Sequence, residues 1–455
     1  MKRNRIKQTG QPSPGDSGLS RRAFVAGGSA ALAATASSAA NLSVGSNQRK
    51  LRIAIVGTGS RGSFTWGREV VAGYSDVVEI IGLCDHNGKR VAAAKQLIGT
   101  GAPTFTDFDL MIRTTRPDAV VVTTPDALHA RYIIRALELG CDVISEKALC
   151  TDEEQCQAIL DAQKKTSKTV TVTFNARHGL KDKKVKELLL QKAIGEVISV
   201  DFHEYLDTSH GADYFRRWHR FKENSGTLLV HKASHHFDLA NWWLNSQPAS
   251  VTAAGELKYY GRNNSFRSTH CRPCPHKQQC KFYFDVTKNE RYMKLYVECE
   301  SEDGYLRDGC VYDEKIDIYD TMSVLVKYEN GVQMNYTANA FLPYEGQAIS
   351  FNGTKGRIDY HEFSGGGFKS DELRLTRSFS KSEVITDFGP PREGGHGGAD
   401  SSLHDLLFRG IPKDDPLGLR ADLRAGVLSS LIGIAARRSI ERGGQLIRIN
   451  DLVKL

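Results

Sequence analysis

Apolar and polar positions alternate in blocks between residues 51 and 175. Residues 51–56 form a short, β-branched apolar run, the pattern of a strand buried on both faces of a parallel sheet. Similar runs recur at 77–84, 118–125, 142–147 and 169–175, and the stretches 64–72, 127–139 and 152–164 between them read as helices. Strands alternating with helices in this way predict a doubly wound parallel sheet, with ligands at the carboxyl ends of its strands. That topology gathers residues 57–62, Asp85, residues 123–126, Glu146, Lys147 and Asn175 on one edge.

The first strand runs into Gly57-Thr58-Gly59-Ser60-Arg61-Gly62, a G-x-G-x-x-G turn. Its first glycine permits the tight turn, its second lets backbone approach a pyrophosphate, and its third lets helix and strand pack closely. The following helix aims its N-terminus at the phosphates. Asp85 ends the second run, where a carboxylate suits the adenosine ribose hydroxyls and repels a 2′-phosphate, so NAD is expected rather than NADP.

Composition adds boundaries. With 455 residues, 40% of them hydrophobic and 25% charged, the chain is not disordered, collagenous or a disulfide miniprotein, and its length allows about two or three domains. The net charge of +8 sits almost wholly in residues 1–50, which hold eight Lys/Arg against Asp16 alone; the remainder is nearly neutral, and no nucleic-acid partner follows. Within that leader stands Ser20-Arg21-Arg22-Ala23-Phe24-Val25, then an Ala/Gly/Ser-rich run over 23–40 with small-residue cleavage sites at Ala34-Thr35-Ala36 and Ser38-Ala39-Ala40. This twin-arginine pattern predicts export of a folded chain to the periplasm, with its cofactor aboard. The run is too lightly apolar for a good membrane span, and no cysteine precedes Cys84, so no membrane anchor is expected.

The Gly-rich turn, Thr124-Pro125-Asp126-x-x-His129, Glu146-Lys147 and Ile194-Gly195-Glu196-Val197 together resemble the Gfo/Idh/MocA oxidoreductases. Phe351-Asn352-Gly353-Thr354-Lys355-Gly356-Arg357-Ile358, Gly394-Gly395-His396-Gly397-Gly398-Ala399-Asp400 and a helix over 422–439 extend the resemblance to about residue 450. It implies a Rossmann domain over 51–175, then an α+β domain over 176–455 with a large, open, mostly antiparallel sheet and C-terminal helices returning to the first domain. It also implies NAD, a homo-oligomer (dimer or tetramer), and sugars, inositols or glycosides as substrates. Cofactor contacts are implied at Gly57, Gly59, Ser60, Arg61, Gly62, Asp85, Thr124, Pro125, His129, Glu146, Lys147 and Asn175. Two departures stand out. Ala148 replaces the proline of the usual Glu-Lys-Pro, and His231 stands where an Asp precedes the family histidine, here His235.

Hydride removal from an alcohol needs a base for the hydroxyl proton and a donor for the developing alkoxide. Lys147, at a strand end, and His235 are the expected proton-transfer pair, with His231 as a third catalytic group. On one helix His231, Ser234, His235 and Asp238 would share a face. Lys232, Arg177, Tyr205, Arg217 and His236 are the candidate substrate-binding residues. His231 and His235 have the spacing of a zinc pair but lack an evident third ligand.

A cysteine-rich insert near 265–312 holds Cys271-x-x-Cys274, Cys280, Cys299 and Cys310. Zinc or iron–sulfur held by Cys271, Cys274, Cys280 and Cys310, or disulfides, would each make it a structural staple. Cys84, Cys141, Cys150 and Cys156 read as small buried apolar residues. Three functions fit the sequence. One is NAD-dependent oxidation of a carbohydrate hydroxyl. A second is glycoside cleavage through transient oxidation at C3 with a recycled NAD, attractive because free NAD is not expected outside the cytoplasm. A third is non-catalytic sugar binding.

Overall fold

The computed structural model describes residues 49–367 and 369–455. The predicted leader, through residue 48, lies outside the described residues. Six strands alternate with helices at the start: β1 (Leu51–Val56), β2 (Val78–Cys84), β3 (Thr104–Phe105), β4 (Ala119–Val122), β5 (Asp142–Ser145) and β6 (Val170–Val172). They pair in parallel in the order β6-β5-β4-β1-β2-β3. Every residue of β4 is buried, as expected for a strand covered on both faces. The helices are capped where the sequence allows: Asn87, Asp107 and Asp152 each accept a bond from the backbone N–H three residues on. The first helical run starts at Arg61, earlier than the apolar pattern predicts, because Ser63 N–H already donates to the Gly59 carbonyl. The last strand ends sooner than predicted; Phe174 and Asn175 fold back onto Val172 and Thr173 in tight turns.

The second sheet comprises β7 (Val197–Asp207), β8 (Pro248–Glu256), β9 (Thr321–Tyr328), β10 (Gln333–Leu342), β11 (Glu345–Gly353), β12 (Gly356–Ser364), β13 (Ser370–Arg377) and β14 (Glu383–Ile385). Its order is β14-β13-β12-β11-β7-β10-β9-β8, and only β7 and β10 run parallel. Along β7 burial alternates with period two: Val200, Phe202, Glu204 and Leu206 face inward. The C-terminal return stitches the sheets together. β15 (Ala421–Asp422) adds an antiparallel edge beside β6, and β16 (Ile447–Arg448) does so beside β8. Between them the helix Leu423–Glu441 is buried along most of its length against β8 and the helix Ser234–Leu244. Gly433 also lets it close on the short helix Leu228–His231, since a Cβ there would strike the Leu229 carbonyl. No helix among the described residues is long and apolar enough to cross a membrane.

Candidate active site

A cleft of about 860 Å³ runs along the carboxyl edge of the first sheet and onto the inner face of the second. At one end lies the Gly-rich turn. Gly57 adopts φ +89°, and a Cβ there would stand 2.6 Å from the Thr124 nitrogen. Gly62 has no room for a Cβ either, with the Gly57 carbonyl against it. Backbone this bare is a fit cradle for a dinucleotide pyrophosphate. Asp85 is buried beside it and holds the turn, accepting from Thr58 N–H at 2.8 Å and from Arg90 at 3.2 Å.

Several residues expected at the cofactor line the cleft but also hold one another. Arg61 donates to Glu146 at 2.6 Å and to both oxygens of Asp400 at 3.0 Å; Asn175 donates to Asp400 at 2.8 Å. Burial raises Asp400, yet His396 and Arg61 overcome it and keep the carboxyl well below the usual range. His129 sets its ring nitrogens 2.7 Å from the Ala148 carbonyl and 2.8 Å from that of Thr124. It therefore braces the Lys147-bearing loop against the Thr124-Pro125 turn. The Lys147–Ala148 peptide bond is cis.

At the centre of the cleft a chain of three groups crosses between the domains. Asp126, just beyond β4, has its Oδ2 2.6 Å from His231 Nδ1; the opposite nitrogen, Nε2, stands 3.3 Å from Lys147 Nζ. Lys147 also donates to the His231 carbonyl at 3.0 Å. An ammonium N–H on Nε2 requires a lone pair there, so the ring hydrogen sits on Nδ1 and donates to Asp126. Burial, then the Lys147 and Arg217 charges, hold His231 well below the ordinary histidine range and thus neutral. Burial raises Asp126 and Lys147 opposes it. Lys147 itself is pulled down to about 8, by burial first, with Asp126 resisting. Since two of its N–H groups are engaged by His231, the neutral amine directs its lone pair elsewhere.

The predicted single helix through 231–238 is in fact two, Leu228–His231 and Ser234–Leu244. The cause is local. The His231 carbonyl accepts from Lys147 Nζ and from Ser234 Oγ at 3.0 Å, while His235 N–H turns instead to Lys232, at 3.4 Å. His231 thereby faces Asp126, whereas His235 lies against Phe174, with its buried Nδ1 lacking a hydrogen-bond partner among the described residues. Burial, Lys147 and Lys232 keep His235 neutral as well.

Of the expected substrate residues, Lys232, Arg217 and His236 border the cleft. Lys232 is paired with Glu204 at 3.1 Å, and His236 with the Tyr336 hydroxyl at 2.9 Å. Arg177 and Tyr205 are corrections. Arg177 is buried in a bidentate pair with Asp238, at 2.6 and 2.7 Å, which also removes Asp238 from the histidine face. Tyr205 falls on the odd face of β7, stacked on Tyr344, away from Glu204. The cysteine insert contains free thiols. Cys271, Cys274, Cys280 and Cys310 line one small pocket with Phe266 and Phe282, and the described residues hold no disulfide and no cluster of three or more metal-ligating side chains.

Sequence reasoning missed Asp126 as a functional group, although it stands inside the quoted Thr-Pro-Asp turn. It missed Asp182, a cleft carboxyl that burial pushes up to about 7, and Glu204, Glu345 and Glu362 on the sheet. Period-two reading of β7 marks Glu204 as an inward carboxylate, which is the signal available for it.

Two models of one oxidoreductase family match the chain: its NAD-binding Rossmann fold over residues 51–174 and its C-terminal alpha/beta domain over 186–447. A Bacillus subtilis protein named as an oxidoreductase, YteT, is 35% identical over 413 residues, covering 85% of this chain and 95% of that protein. The D-glucoside 3-dehydrogenase of Escherichia coli is 28% identical over 150 residues, 32% of this chain and 41% of its own. Among solved structures, an oxidoreductase from Agrobacterium radiobacter in complex with NAD+, L-tartaric acid and magnesium superposes with a TM-score of 0.64 at 17% identity, covering 89% of this chain and all of that one.

Proposed function

From the premise that this chain belongs to the Gfo/Idh/MocA oxidoreductase family, we propose that it is an NAD-dependent enzyme that oxidises a secondary hydroxyl of a carbohydrate. The observation that carries the reading is the Asp126–His231–Lys147 chain, which fixes an amine with a pKa near 8 in the cleft next to the cofactor edge. Gly57, Gly59, Gly62 and Asp85 would hold NAD, which when bound supplies the hydride acceptor. Lys147 is the proton acceptor for the substrate hydroxyl, because the neutral amine has its lone pair free of His231. Asp126 and His231 position it. His235 borders the same cleft with its ring held neutral by burial and the neighbouring lysines. The Lys232–Glu204 pair, Glu345, Gln347 and Glu362 give the cleft alternating donors and acceptors, the chemistry that reads several hydroxyls of one ring.

The test is direct. The purified chain is incubated with NAD and a panel of sugars, inositols and glycosides, following nicotinamide absorbance and keto-sugar by mass spectrometry. Oxidation that disappears in Lys147→Ala supports the reading; a panel left both unoxidised and uncleaved sinks it.

A second reading, glycoside cleavage through transient oxidation, is favoured by Asp182, whose carboxyl near pKa 7 can still donate a proton to a leaving-group oxygen at neutral pH. Released aglycone without net NADH distinguishes it. Export through the twin-arginine leader is part of the proposal and rests on residues 20–40. So is self-association, for which the exposed Ile198 and Leu325 on the second sheet are the support.

A further inference from the structure

The segment between β8 and β9, residues 257–320, docks on the first domain rather than standing off as a surface loop. Leu295 is fully buried in the same apolar cluster as Val91 and Trp66 of the nucleotide fold. Asn87, at the start of the helix Gly88–Ile98, donates to the Cys299 carbonyl at 2.9 Å, and Arg90 donates to the Leu295 carbonyl at 3.0 Å. The anchored segment contributes Tyr296, Asp303 and Tyr305 to the lining of the cleft. The Tyr296 hydroxyl accepts from Ser60 N–H at 2.9 Å and donates to Ser60 Oγ at 3.1 Å; it would lie 3.1 Å from a Cβ at Gly59. Asp303 accepts from Arg90 at 2.6 Å and stands 3.3 Å from His86, which is itself 3.3 Å from Asp85.

We propose that this insert is a wall of the cofactor site, with Tyr296 and Asp303 as binding residues for the adenosine half of NAD, and that it makes NAD a resident group that exchanges slowly. This rests on the NAD reading above and extends it to residues outside the Rossmann domain. Tyr296 covers the backbone where the pyrophosphate approaches, so departure of the dinucleotide has to displace a side chain whose neighbour is locked in the core. Asp303 completes a trio with Asp85 and Arg90 that carries two carboxylates against one guanidinium. Its net negative charge stands where the ribose hydroxyls are read, and it disfavours a 2′-phosphate more strongly than the Asp85–Arg90 pair alone, which is neutral. A slowly exchanging NAD also suits chemistry in which the hydride returns within one turnover.

The experiment uses the full chain and NADH as probe. Release of NADH is followed by stopped-flow fluorescence, and the NADPH and NADH dissociation constants are measured for wild type, Tyr296→Ala, Tyr296→Phe and Asp303→Asn. Tyr296→Ala is expected to speed release by at least about tenfold, with Tyr296→Phe close to wild type because the ring still covers the turn. Asp303→Asn is expected to move the NADPH-to-NADH preference by about tenfold toward NADPH. Hydrogen exchange across residues 290–303 is expected to slow when NADH is added. Wild-type release and preference in every variant, at unchanged melting temperature, overturns this proposal and leaves the NAD reading intact. A wild-type chain that binds no NADH overturns both.

Discussion

At the Gly-rich turn the working surface of the cleft is backbone, carried by one continuous segment from β1 into its helix; around Lys147 it is side chains, assembled from the ends of β4 and β5 and the helices around residue 231. The difference determines how each end fails. A backbone cradle is damaged by adding an atom, since Gly57 and Gly62 already touch their neighbours. A hydrogen-bonded chain of side chains is damaged by removing one, because each of Asp126, His231 and Lys147 holds the next.

The largest effect is expected from removal. Lys147→Ala should lower turnover by about 10²–10⁴-fold with NADH affinity retained, measured by steady-state kinetics and titration. Comparable loss of NADH binding would mean that Lys147 belongs to the cofactor end. Asp126→Asn should cost about a hundredfold and also move the pH profile. Alcohol oxidation needs neutral Lys147, so its rate should rise with pH through about 8 and then level. Asp126 raises the Lys147 pKa, so its neutralisation should shift that rising limb to lower pH; an unmoved limb would make Asp126 merely structural. Addition is tested by Gly62→Ala, whose methyl group meets the Gly57 carbonyl and Thr123. It should weaken NADH by about tenfold and destabilise the fold by about 1–3 kcal/mol. The smallest effect separates the faces of β7. Tyr205→Phe should leave turnover within about twofold, since the ring stacks on Tyr344 outside the cleft; a large loss would return Tyr205 to the substrate site.

The broken helix shows the same division at finer scale. Residues 231–238 read as one helix because their local spacing carries no sign of a lysine more than eighty positions away. Yet it is Lys147 that takes the His231 carbonyl and, with Ser234, leaves His235 N–H to find Lys232. The missing Asp at position 231 has the same kind of answer. A carboxylate still meets position 231, but it reaches His231 from Asp126 in the other domain, through space and not along the helix.

The sequence by itself determined the alternation of strands and helices, the Gly-rich turn, the strand-end positions of Asp85, Asp126 and Lys147, and membership of the oxidoreductase family, because burial periodicity and tight-turn chemistry act over a few residues. Tertiary structure alone decided which charges are paired. Arg177 and Asp238 join 61 positions apart, Arg61 and Asp400 339 apart, and Asp303 reaches Arg90 across 213. Buried charges select partners by proximity in the folded chain, and no local pattern encodes a distance of that kind.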